Sequence, residues 1–222
     1  YIDLTNNPLL SGIKVLLIDN NNTKWIADRA TINAKTDSTF DNVAIGEPLA
    51  ATQDHDGAIW VVYRSGDIHL QKFTEQDTMV FDSTNSPLDA TIPPYYSWKL
   101  RSSDDMVADQ NNHIWISTSF KGLYEYDGTQ FINHTNENSG LPSNRVGDLL
   151  VDNENNLWGA SNGLFKYDGE TWTNWNPENS HIPNDEVLAL SFDPDSLLWI
   201  SNKDAGISSF DGSDIITYDT SN

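Results

Sequence analysis

The chain contains no cysteine. A disulfide framework, a thiolate metal site and a cysteine nucleophile are therefore excluded. The redox compartment stays open, because extracytoplasmic proteins also dispense with cysteine. Bases are scarce: 12 Lys and Arg stand against 33 Asp and Glu, a formal charge of -21. Phosphate backbones and anionic membrane surfaces are poor partners for such a molecule, so no nucleic-acid role is expected. Self-repulsion of this size favours solubility. No apolar run approaches the ~18 residues of a membrane span. No signal peptide is visible, and the chain opens mid-pattern at Tyr1, which reads as a mature or trimmed product. A phosphate loop, a Ser-His-Asp motif and a metal-binding His pair are also missing, so neither cofactor nor metal is expected.

Aromatic residues, in contrast, are plentiful: eight Trp, eight Tyr and eight Phe. Five of the tryptophans keep one register. Each follows an Asp by six positions, in Asp19 and Trp25, Asp54 and Trp60, Asp109 and Trp115, Asp152 and Trp158, and Asp193 and Trp199. The Asp-to-Asp steps of 35, 55, 43 and 41 residues nearly exhaust the 222-residue chain. An apolar run precedes each Asp and a second short strand starts at each Trp. In the later units a Gly and a third strand follow, as in "GLYEYDG", "GLFKYDG" and "GISSFDG". A fourth, aromatic or β-branched strand closes the unit. Four short strands in ~40–45 residues, with turn chemistry between them, spell a β-propeller blade.

The Asp caps the first hairpin, its carboxylate accepting turn N–H groups. Asn and Gly supply the positive φ that a tight hairpin needs. The Trp then opens the second strand with its ring between blades, a large buried knob rather than an exposed platform for bases or sugars. The "DHDG" segment of the second unit superficially suggests calcium. It lacks the spaced oxygens and closing Glu of a calcium loop and is one of five equivalent turns, so it reads as a turn.

"DNENNLWGASNGLFKYDGETWTNW" and "DQNNHIWISTSFKGLYEYDGTQFINHTNENSGLPSNRV" resemble the two-component regulator propeller repeat. The match is strong in the third and fourth units, good in the fifth, and reduced to the Asp and Trp core in the first two. The resemblance implies a propeller of extracytoplasmic, sensor-like type, periplasmic or extracellular. It carries no particular activity with it.

The expected fold is thus all-β: a single five-bladed propeller over residues 1–222, with four antiparallel strands per blade. Blade cores fall near 13–43, 48–82, 104–135, 146–176 and 187–218. Closure by terminal strand pairing removes open edges, with either Tyr1–Thr5 or Ile215–Tyr218 completing the last blade. A five-unit cut from a longer propeller is the alternative.

In such a fold the acidic turns share one face, and the long loops with most bases share the other. The loop between units two and three, "STNSPLDATIPPYYSWKLRSSD", is the longest connection. Its Tyr95, Tyr96 and Trp98 stand beside Lys99 and Arg101, a combination suited to sugar stacking or protein docking. Arg64, Lys121 and Arg145 belong to the same face. These eight residues are the candidate ligand site of a non-catalytic, monomeric binding module for a glycan or a protein. A glycosidase or lyase is the alternative, with Asp105, Asp148, Asp185 and Glu186 as converging carboxylates at the channel mouth. A scaffold domain of a larger secreted protein is the third reading.

Overall fold

A computed structural model describes residues 14–27, 31–35, 40–45, 47–65, 67–74, 76–88 and 105–219. The chain forms two compact units, Tyr1–Pro94 and Tyr95–Asn222. The first holds two sheets. One comprises β1 (Lys14–Ile18), β2 (Lys24–Ala27), β3 (Thr31–Lys35) and β4 (Phe40–Ile45). The other comprises β5 (Glu47–Gln53), β6 (Ile59–Ser65), β7 (Asp67–Phe73) and β8 (Thr78–Phe81). The second unit holds three. They are β9 (Met106–Ala108) with β10 (Ile114–Ser117), β11 (Leu123–Tyr126) and β12 (Phe131–His134); β13 (Leu149–Val151) with β14 (Leu157–Ala160), β15 (Leu164–Tyr167) and β16 (Trp172–Trp175); and β17 (Val187–Phe192) with β18 (Leu198–Asn202), β19 (Ile207–Phe210) and β20 (Ile215–Tyr218). Each of the five sheets is a four-stranded antiparallel meander in chain order. Ile215–Tyr218 completes the fifth sheet as its own fourth strand, whereas Tyr1–Thr5 lies outside the described residues. No helix among the described residues is long and apolar enough to cross a membrane.

One device builds every first hairpin. The turn carboxylate's Oδ1 accepts the backbone N–H groups two and four residues on. Its Oδ2 accepts the indole N–H of the following Trp, at 3.0 Å for Asp19, 2.8 Å for Asp54, 3.1 Å for Asp109, 2.8 Å for Asp152 and 3.1 Å for Asp193. The backbone closes with positive φ three residues after the Asp, at Asn22, Gly57, Asn112, Asn155 and Ser196. The six-residue spacing therefore has a chemical cause: one carboxylate caps the turn and anchors the ring that opens the next strand.

Three of the rings then pack toward the following sheet of their own unit. In the first unit Trp25 meets Ile59, Val61 and Tyr63 and lies 5.4 Å from Phe73. In the second, Trp115 clusters with Leu149, Leu157 and Phe165, and Trp158 with Leu190 and Phe210. Trp25, Trp60, Trp115 and Trp158 are buried; Trp199 is half-buried. Second strands such as β10 and β14 are buried at every position, whereas the fourth strands β12 and β16 are largely half-buried. That is the pattern of a sheet covered on both faces near its inner strands and solvated at its rim. Gly159 shows how tightly the fit is set. A Cβ there would lie 2.4 Å from the Phe165 ring, which fills the space left by the missing side chain.

Candidate functional site

On the long-loop face of the second unit, a groove of about 340 Å3 separates the sheet β13–β16 from the sheet β17–β20. One wall is the segment 143–147, with Arg145 exposed at its rim. Its backbone is fastened at several points. Val146 N–H donates to Thr118 C=O (2.9 Å), Gly147 N–H to Ala160 C=O (2.8 Å), and the buried Ser161 hydroxyl to Ser143 C=O (3.0 Å). The other wall carries Asp185 and Glu186 on the approach to β17 and Lys203 on the β18–β19 turn. Gly163 N–H donates to Asp185 C=O and Lys203 N–H to Glu186 C=O, both at 2.9 Å. Asn162 completes the polar lining.

Lys203 Nζ meets Glu186 Oε2 at 2.5 Å. That hydrogen bond, followed by the lysine's charge and then the charge of Arg145, holds the Glu186 carboxyl below its usual range. The same bond raises the Lys203 ammonium. Both side chains are about half exposed, so the pair contributes little stability. Its effect is to fix two opposite charges at the groove edge, with a guanidinium nearby.

The four alternative carboxylates occupy two places. Asp185 and Glu186 line this groove. Asp105 and Asp148 instead hydrogen-bond to each other. Each also accepts a backbone N–H from the next sheet: Leu149 to Asp105 Oδ2 at 3.0 Å, and Leu190 to Asp148 Oδ2 at 2.6 Å. Burial raises both above the usual carboxylate range, Asp148 to about 6, with the charge of Asp105 adding to the rise.

Of the eight residues expected to hold ligand, Arg145 stands at the groove. Lys121 lies on the β10–β11 loop of the same unit, its N–H bonded to the Thr118 hydroxyl at 2.9 Å. Arg64 is the penultimate residue of β6 in the first unit. Tyr95, Tyr96, Trp98, Lys99 and Arg101 lie outside the described residues. Lys203, Asn162 and Ser143 carry no ligand signal in the sequence, because only the folded loops bring them beside Arg145.

A second polar cluster lies within the sheet β9–β12. The buried Glu125 takes His113 Nδ1 on Oε1 and His134 Nε2 on Oε2, each at 2.8 Å. The His134 ring packs on Trp115, Tyr167 and Trp172. The three residues come from different strands or turns, so spacing along the chain does not announce them. Diagonal cross-strand neighbours are the signal that could have. A larger cavity of about 590 Å3 opens on the short-turn face, floored by Trp158, Phe192 and Phe210. The carboxylates of Asp152 and Asp193 that edge it are occupied by their own turns, and Lys166 Nζ lies 5.4 Å over the Trp158 ring.

The resemblance seen in the sequence is borne out. The model of the two component regulator propeller family matches residues 140–163, which run from the loop before β13 to the Gly that opens β15. Among solved structures, the chain is similar to the extracellular domain of a proposed hybrid two component system from B. thetaiotaomicron. The identity is 18% and the TM-score 0.68, over 97% of this chain and 29% of that one. It is also similar to PorZ, a bacterial surface component of the type-IX secretion system of Porphyromonas gingivalis. There the identity is 19% and the TM-score 0.63, over 89% of this chain and 32% of that one. YCF48 bound to D1 peptide is 15% identical with a TM-score of 0.55, over 92% of this chain and 64% of that one. The chain thus spans about three-tenths of the length of the sensor and secretion proteins. At these identities the likeness establishes the propeller type of fold. No curated protein matches the chain.

Proposed function

We propose that this chain is a non-catalytic, extracytoplasmic binding module of sensor type, holding a glycan or a peptide segment in the loop-face groove of its second unit. One observation carries the reading. Arg145, Lys203, Asp185, Glu186 and Asn162 surround an open groove whose walls are pinned by backbone hydrogen bonds. Preorganised walls with a few fixed polar groups are what a binding site requires. Lys121, on the β10–β11 loop of the same unit, belongs to this face in the proposal.

The enzymatic alternative has weaker support. A glycosidase needs two carboxyls ~5–10 Å apart with the glycosidic bond between them. Asp105 and Asp148 are bonded directly to each other and to backbone donors, which leaves no such gap. The relatives' extracellular placement and the peptide bound by YCF48 are consistent with a surface receptor role.

A glycan and peptide array probed with the intact chain tests the proposal. Arg145→Ala combined with Lys203→Ala should weaken the strongest hits at least tenfold while leaving the melting temperature within about 2 °C, as expected for surface changes. Hits unaffected by the double substitution would remove the groove as the site. Release of new reducing ends from a bound oligosaccharide would refute the non-catalytic reading.

A further inference from the structure

Asp105 and Asp148 stand at one place in consecutive sheets: four residues before the turn aspartates Asp109 and Asp152, and directly ahead of β9 and β13. The corresponding positions of the other units are Val15, Ala50 and Ala189, so the pair arises once in the repeat. Each member reaches one sheet onward for a backbone donor, Leu149 N–H for Asp105 and Leu190 N–H for Asp148. The carboxyl-to-carboxyl bond links these two contacts into a continuous line from the starts of β9 and β13 to the middle of β17.

Two carboxyls can share a hydrogen bond only while one holds a proton. The two carboxyls therefore titrate as a pair, with burial raising both. No lysine, arginine or histidine among the described residues bonds either carboxyl. The elements packed around them offer Ser117, whose Oγ accepts Asp105 N–H, and Ala160, whose N–H donates to Asp148 C=O. Arg145, three residues before Asp148, acts on Glu186 and Lys203 instead. Once the proton leaves, two like charges face each other in a half-buried place, with no cation bonded to either among the described residues.

The line also touches the groove. The wall 143–147 runs directly into Asp148, and the wall 185–188 lies just before Leu190, whose N–H Asp148 holds. We propose that Asp105 and Asp148 form a proton-operated clasp that sets the spacing of the groove walls: closed while the pair holds one proton, loosened when that proton is lost. The clasp itself stands on its own geometry; its consequence for ligand rests on the groove being the binding site. Asp148 is here a positioning residue. Because its folded-state affinity for a proton exceeds that of the unfolded chain, the clasp's contribution is fully present below the usual carboxylate range. It is lost as the pH rises through about 6.

Carboxyl 13C spectra and melting curves of the intact chain test this without any ligand. The Asp148 carboxyl should titrate near pH 6 in the parent and return toward the usual range in Asp105→Asn. Asp148→Asn mimics the protonated form, since its amide donates to Asp105 while its oxygen accepts Leu190 N–H. It should melt at least as high as the parent at pH 7.5 and remove the fall of about 5 °C expected between pH 5 and 7.5. Ordinary titration of both carboxyls, or a less stable Asp148→Asn at pH 7.5, overturns the clasp. The absence of cysteine allows spin labels at Asn162→Cys and Leu188→Cys alone. Their separation should grow or broaden from pH 5 to 7.5 in the parent background and stay fixed with Asp148→Asn. A titrating clasp with an unchanged separation overturns the link to the groove, and does so without touching the ligand reading, which the Arg145 and Lys203 substitutions test.

Discussion

Removing the Asp152 carboxylate tests whether the turn and the buried ring form one energetic unit. Its Oδ1 holds the backbone N–H groups of Glu154 (3.0 Å) and Asn156 (2.8 Å), and its Oδ2 holds the Trp158 indole and the Asn156 amide, both at 2.8 Å. Trp158 is 7% exposed and Asn156 6%, so water cannot easily replace the lost acceptor. In Asp152→Ala the Trp158 indole and the Asn156 backbone N–H lose their partner, at ~1–3 kcal/mol each, while the Asn156 amide keeps Glu154 Oε2 within 3.5 Å and the exposed Glu154 N–H turns to solvent. The expected loss is about 2–5 kcal/mol. Trp158→Phe keeps the ring that stacks on Trp175 but deletes the indole N–H. It should cost about 1–2 kcal/mol, because the Asn156 amide still satisfies Oδ2. In urea titrations followed by circular dichroism, the double variant should fall short of the summed losses by about 1–2 kcal/mol. Additivity within ~0.5 kcal/mol would refute the reasoning and reduce the carboxylate to a turn cap. Burial pushes the Asp152 carboxyl up, but the indole, the Asn156 side chain and the turn N–H groups outweigh it and hold it below the usual range. The stabilisation is therefore present above the ordinary carboxylate pKa and disappears as the pH falls through the depressed one. The gap between the parent and Asp152→Ala should accordingly narrow in strong acid.

Two further substitutions probe the backbone. Gly163 has φ +108°, and a Cβ there would lie 2.2 Å from the Trp175 carbonyl oxygen. Gly163→Ala should therefore cost at least ~2–3 kcal/mol by the same titration, and a loss under ~1 kcal/mol would show that the β14–β15 turn can move. Ser196 sits at φ +65° where three equivalent turns have Asn and one has Gly. Ser196→Asn should raise stability by about 0.5 kcal/mol, seen as a higher urea midpoint at unchanged slope, and a lower midpoint would contradict the strain.

The architecture was legible because its signal is local and repeated. Asp and Trp six residues apart report a bond made inside one hairpin, so even the divergent first two units reveal their sheets. The site was less legible because it depends on loops whose lengths differ. Glu186 and Asp148 each directly precede a first strand, yet β17 starts six residues before its turn aspartate and β13 only three before its own. The longer strand carries Asp185 and Glu186 out to the groove, while the shorter one leaves Asp148 beside Asp105. Acids that look equivalent by their place in the chain therefore part company in space. The Glu125 cluster was hidden for a related reason, since its histidines meet only through the pairing of β10, β11 and β12.

The Asp-to-indole bond also bears on how the chain acquires its structure. It closes within six residues, so loop-closure entropy for this contact is small and no distant segment is needed to form it. Hairpins of this kind assemble in microseconds, well before whole sheets can find one another. A hairpin of this kind can thus present a pre-shaped edge, with Trp25, Trp115 and Trp158 already aimed at the next sheet of their own unit. Assembly then becomes a search over the docking of a few stiff pieces instead of over the free torsions of a 222-residue chain. Losing one such bond should slow the docking of its own sheet and spare the early steps of the others.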